Sequence, residues 1–208
     1  MKTLSLLLLA TSLLFTFNAS QDSPELEEAA TLATSASKLL DDGKYDDAVA
    51  PAKRALQIRE KLLPANDIRV SASLSTLGKV YYSKRDYKAS REVFQRLLQN
   101  QEQNLGPDNV RIAETLDWLA ALQHQAGKPN DAEASYKRAL ALREKNFGSN
   151  HERVARSLSA LAEFYRARRE WQSAVDHYRR ALTLYAQILD SKTAELCPCE
   201  RWFLLCSL

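Results

Sequence analysis

The chain has 208 residues, 45% of them apolar and 26% charged, with 29 Lys+Arg against 26 Asp+Glu for a formal charge of +3. This excludes a disordered chain, and the mild basicity does not call for a nucleic-acid partner. Five Gly and six Pro are too few for an all-β sandwich or barrel, and three Cys, all beyond residue 196, cannot frame a disulfide-rich scaffold.

The first element is residues 1–19, a signal peptide in this reading. Lys2 is the only charge, and Leu4 to Phe17 is one apolar run of 14 residues. A bilayer-spanning helix needs about 20 such residues, so the run matches the core of an export signal cleaved after Ala19. An uncleaved anchor and a buried first helix are the other readings of the same run. Cleavage would leave a mature charge of 3 − 1 = +2, a secreted or periplasmic location and no stable membrane insertion. Residues 20–28 form a short lead-in.

Beyond it the chain repeats with a period of 42. Leu74, Leu77, Gly78, Tyr81, Ser90, Phe94 and Leu97 return as Leu116, Leu119, Ala120, Gln123, Ala132, Tyr136 and Ala139. They return again as Leu158, Leu161, Ala162, Tyr165, Ala174, Tyr178 and Ala181, and earlier as Leu32, Ser35, Ala36, Leu39, Ala48, Ala52 and Ala55. Four units result, 29–70, 71–112, 113–154 and 155–196. Within each, apolar residues at i, i+3, i+4 and i+7 predict two amphipathic helices. The predicted helices are 28–41, 46–63, 68–84, 88–104, 110–125, 130–146, 152–168 and 171–190. Gly43 and Gly127 supply left-handed helix stops. Pro64-Ala-Asn-Asp67, Gly106-Pro-Asp-Asn109 and Gly148-Ser-Asn-His151 join the units with a breaker and capping residues. The small columns Ala36/Gly78/Ala120/Ala162 and Ala48/Ser90/Ala132/Ala174 predict notches where the two helices of a unit cross.

The run Leu74-x2-Leu77-Gly78-x2-Tyr81, followed by Ser90-x3-Phe94, resembles the tetratricopeptide repeat signature. The 42-residue spacing resembles the long-helix subclass of kinesin light chains. The resemblance covers 29–196 and implies an all-α, right-handed α-solenoid of four antiparallel helix pairs. It further implies a scaffold that holds a peptide or protein ligand in a concave groove lined by the first helix of each unit. On that basis the partner-binding residues are Lys79, Tyr82, Asp117, Trp118, His124, Arg156 and Arg166. Trp118 lies off the stripe of Leu116, Leu119 and Leu122, so it is either a binding anchor or a residue packed on the neighbouring helix. Family members that grip a terminal carboxylate use Lys, Asn and Arg where this chain has Ala33, Ser37, Thr76, Glu114 and Trp118, so that clamp is not expected. Kinesin light chains carry asparagines where Ser75-Thr76, Asp117-Trp118 and Ser159-Ala160 stand, which speaks against a motor-adaptor role.

Arg54, Arg96, Arg138 and Arg180 form a further column, three of them with a second base in Lys53, Lys137 or Arg179. It reads either as a basic ridge for an anionic polymer or as a solvated face paired with Glu60, Glu102 and Glu144. The second is preferred, and no nucleic-acid partner is expected. His124, His151 and His177 occupy unrelated places in their units, without metal-ligand spacing or a phosphate loop. Glu114 and Asp117, three apart, read as a helix face rather than an acid–base pair. The expectation is no catalysis, no metal and no cofactor.

Residues 197–208, Cys-Pro-Cys-Glu-Arg-Trp-Phe-Leu-Leu-Cys-Ser-Leu, break the pattern. They read either as a short cap placing Trp202, Phe203 and Leu205 on the last repeat, or as the altered end of a longer array. Cys197, Cys199 and Cys206 lack zinc-site spacing. The alternative function is therefore a self-assembly module, or the non-catalytic part of a larger repeat protein, with this tail as the contact.

Overall fold

The structure, a computed structural model, describes residues 23–195, with side chains through 190. The expected signal peptide and the apolar tail lie outside the described residues. Within them are eight helices: α1 Pro24–Asp41, α2 Tyr45–Leu62, α3 Ile68–Ser83, α4 Tyr87–Leu105, α5 Arg111–Gln125, α6 Pro129–Phe147, α7 Glu152–Ala167 and α8 Trp171–Glu195. The second helices of the pairs start at 45, 87, 129 and 171, a constant step of 42. The chain packs as two compact units, one through Asn100 and one from Gln101, the division falling inside α4.

The turn within each pair has one geometry. The residues at 43, 85, 127 and 169 all have positive φ, between 63° and 77°. In each, the amide three places past the last helical residue donates back over five residues: Lys44 to Leu39 O, Asp86 to Tyr81 O, Lys128 to Gln123 O and Glu170 to Tyr165 O, at 2.8–2.9 Å. This is the Schellman closure that satisfies the last carbonyls of a helix. Glycine fills the left-handed place in two turns, and Arg85 and Arg169 fill it in the others.

Several helix starts carry side-chain caps. Ser23 Oγ accepts from Leu26 N at 3.3 Å, with Pro24 at the first helical place. This explains why α1 begins four residues earlier than its apolar stripe suggests. Asp67 accepts from Arg69 N at 2.8 Å, Asp86 from Ala89 N at 3.1 Å, and Asn109 from Arg111 N at 3.0 Å. At α7 the cap is the ring of His151, whose Nδ1 accepts from Arg153 N at 3.1 Å. α8 extends to Glu195 instead of stopping near 190, because Asp190-Ser-Lys-Thr193 contains neither Gly nor Pro.

In the first unit the core holds Ala36, Ala52, Leu74, Leu77, Val80 and Phe94. The notch is explicit there: a Cβ on Gly78 would stand 2.7 Å from Phe94 Cε2 and 2.8 Å from Cζ. Phe94 is completely buried, and Ser90 Oγ donates to Gly78 O at 2.9 Å across the same crossing. In the second unit the core runs through Leu116, Leu119, Ala120, Ala132, Leu158, Leu161, Phe164, Ala174 and Ala181. Sequential helices pack on one another within each unit, α1 with α2 and α2 with α3, then α5 with α6, α6 with α7 and α7 with α8.

Candidate partner-binding face

A polar rung repeats where the second helix of one repeat meets the first helix of the next. Arg59 NH1 donates to Ser73 Oγ at 2.7 Å, Thr115 Oγ1 donates to Gln101 Oε1 at 2.7 Å, and Arg143 NH1 donates to Ser157 Oγ at 2.5 Å. Each rung joins residues 14 apart, and successive rungs are 42 apart. Burial strengthens such bonds and makes an unmatched partner costly. Burial, and then neighbouring Arg69, lowers the pKa of Arg59.

In the third repeat the rung reaches the predicted face. Arg143 NH2 donates to Asp117 Oδ2 at 2.6 Å, so one guanidinium ties Asp117 of α5 to Ser157 of α7. Asp117 keeps 28% of its side chain exposed, yet its Oδ1 is buried with no hydrogen-bond partner. Burial raises the Asp117 pKa, against the hydrogen bond and charge of Arg143. Arg156 of α7 also favours its ionised form, while Glu114 opposes it. Asp117 is thus a half-buried acceptor held from behind by Arg143, with one oxygen enclosed. The signal for this lay in the column Arg59/Gln101/Arg143 facing Ser73/Thr115/Ser157, visible only by comparing polar columns.

The other predicted residues fall as follows. Trp118, beside Asp117 on α5, is half-buried, and Arg156 is exposed. His124 is half-buried, its ring edge-on to Phe164 at 5.4 Å. The Arg168 guanidinium also lies 5.4 Å from the Phe164 ring centroid, at a range where a cation is drawn to a π face. Arg166 is exposed and pairs with Glu163 at 2.6 Å. Glu163 in turn accepts from the Tyr178 hydroxyl. These two partners, Tyr178 first, hold Glu163 below the ordinary carboxylate range. The second unit therefore brings Asp117 and Arg156 into electrostatic reach and places His124 and Arg166 in separate local clusters.

In the first unit Lys79 and Tyr82 are both half-buried on α3. The Tyr82 ring meets Tyr87 edge-on at 5.5 Å. Burial, then Tyr87, raises its hydroxyl pKa.

The arginine column is paired. Arg96 meets Glu60 at 2.5 Å, close but not aligned as a hydrogen bond. Arg138 meets Glu102 at 2.7 Å and Arg180 meets Glu144 at 2.5 Å. Arg54 approaches Glu28 at 3.6 Å. Among the described residues no group of His, Cys, Asp or Glu is arranged to hold a metal ion. None of the described helices is long and apolar enough to cross a membrane.

A tetratricopeptide repeat model matches residues 27–103, 69–145 and 111–187, three overlapping windows advancing by 42. No curated protein matches the chain. Among solved structures, BtubC (BKLC) from P. vanneervenii is similar at TM-score 0.69 and 18% identity, covering 82% of this chain and 66% of that one. The nearly identical TPR-like repeats of a Podosopora anserina putative kinesin light chain align at TM-score 0.67 and 19% identity, covering 83% and 82%. Rap protein complexed with competence and sporulation factor aligns at TM-score 0.68 and 18% identity, covering 82% of this chain and 46% of that one. The chain thus spans just under two thirds of BtubC and under half of Rap. At these identities the likeness is one of fold.

Proposed function

Taking as premise that this chain belongs to the tetratricopeptide-repeat family, we propose that it is an exported scaffold that binds a peptide or partner protein without catalysis. In the second unit the binding face centres on Asp117, Trp118 and Arg156, flanked by His124 and Arg166; the candidate residues of the first unit, taken by itself, are Lys79 and Tyr82. One observation carries it: a half-buried Trp118 and an exposed Arg156 stand near Asp117, whose carboxylate is fixed from behind by Arg143 at 2.6 Å. Aromatic and Arg side chains are the usual anchors around such a point. Rap, similar in fold, was solved with competence and sporulation factor bound, an example of a partner on this architecture. Export rests on Met1–Ala19 and is read out by the N-terminal residue of the mature product.

The experiment is affinity capture from the extracytoplasmic fraction with the mature chain, beside a Trp118→Ala/Arg156→Ala variant of unchanged circular dichroism and melting. Partners that enrich on the wild type and disappear from the variant support the face. Partners retained equally by both defeat it.

A further inference from the structure

α8 carries an apolar stripe at Trp171, Val175, Tyr178, Leu182, Tyr185 and Leu189, spaced i, i+4, i+7, i+11, i+14 and i+18. That spacing keeps all six side chains on one side of a helix. Five are exposed, Leu182 at 68% and Trp171 at 60% the most. The places 42 residues earlier are covered. Leu140 is buried, Arg143 makes its rung to Ser157, and Phe147 is stacked on His151 at 4.6 Å beneath Arg153. The half of α8 from Leu182 to Leu189 is therefore the surface on which, one repeat earlier, the next first helix and its joint lie. The apolar face of a repeat needs a neighbour or a cap to cover it.

We propose that this stripe is an interaction surface whose occupant is the chain's own segment 196–208, with Trp202, Phe203, Leu204 and Leu205 seated on Leu182, Tyr185 and Leu189. The chemistry matches, since four consecutive large apolar side chains meet an uncharged stripe. The reach also matches. α8 ends at Glu195, just past Leu189, and Leu182 lies about 20 Å back along the axis at 1.5 Å per residue. Seven residues from Glu195 to Trp202 span up to about 23 Å, so the segment returns to any of the three. A tethered segment also presents itself at a roughly millimolar effective concentration, far above that of a second copy at micromolar protein. The inference is independent of the partner-binding face.

The test is hydrogen exchange read by mass spectrometry on the mature full-length chain, at about 1 and about 100 µM. The reference is a Trp202→Ser/Phe203→Ser/Leu204→Ser variant, with light scattering alongside. Under the proposal, amides of 182–195 exchange about tenfold faster in the variant at both concentrations, while those of α5–α7 do not change. A second variant, Leu182→Glu, alters only an exposed position and speeds exchange within 199–206. Equal exchange in wild type and both variants overturns the proposal. Protection that appears only at the higher concentration, with a doubled mass, also overturns it and assigns the stripe to a second copy.

Discussion

Replacing Gly78 by Ala sets two effects of opposite sign against each other. Ala in place of Gly in a helix interior favours folding by about 1 kcal/mol. Against this, the new methyl carbon would lie 2.7, 2.8 and 3.0 Å from Phe94 Cε2, Cζ and Cδ2, whereas carbon atoms rest about 3.5–4.0 Å apart. The ring must retreat by nearly 1 Å, and it is fully enclosed. Ser90 Oγ, bonded to Gly78 O at 2.9 Å, resists separation of the two helices. Overpacking of this kind costs about 1–3 kcal/mol, so the net expectation is a loss of about 1 kcal/mol. Urea unfolding followed by circular dichroism measures it. The decisive control is a cycle with Phe94→Leu, which shortens the intruding side chain. The double variant should be more stable than the two single losses predict, by about 1 kcal/mol. A Gly78→Ala chain that gains the full helix-propensity increment, with an additive cycle, would refute the account.

Two further outcomes follow from the same physics. Arg85 holds a φ of 65°, a conformation that costs a non-Gly residue about 1–2 kcal/mol, while glycine adds about 0.4–1 kcal/mol of unfolded-state entropy. Arg85→Gly should therefore raise stability by about 0.5 kcal/mol, seen as a small rise in Tm; a fall in Tm contradicts the turn assignment. The second outcome concerns Asp117, whose pKa burial raises above its unfolded value. The folded state binds the proton more tightly, so its contribution falls as pH rises from the ordinary aspartate range through the raised pKa. Asp117→Asn removes that slope, and urea midpoints measured across the acid range should diverge in favour of the Asn chain as pH rises. Parallel curves would show that the carboxylate titrates as it does when unfolded.

The apolar half of this molecule is legible in its sequence because burial and helical period act on every repeat alike. The notch at Gly78 could be named in advance, since an absent side chain against Phe94 has one physical use. The pairing of Arg96, Arg138 and Arg180 with Glu60, Glu102 and Glu144 was readable from the column. The turns at Arg85 and Arg169 were not, because an arginine gives no sign that its backbone is left-handed; only its alignment with Gly43 and Gly127 does. The rungs escaped for a related reason. Arg, Gln and Arg differ in charge, and Ser, Thr and Ser look like ordinary surface residues until a partner buries them. Asp117 was placed on a helix face, but its tie to the Arg143 guanidinium behind it shows only in the structure. The run to Glu195 in α8 was missed, since the helix was expected to end at 190 although no Gly or Pro follows Asp190 before Pro198.

The joints between repeats differ in length, with α3, α5 and α7 starting at 68, 111 and 152, yet the rungs hold a constant separation of 14. Variation in the joint is thus absorbed between two pinned points. One residue inserted within the helical turns between joint and rung would rotate the acceptor about 100° around its helix and strand a guanidinium or amide in the interior. Grafted loops and added tags therefore belong elsewhere on this chain, and exchange of whole 42-residue modules is the edit that leaves every clasp intact.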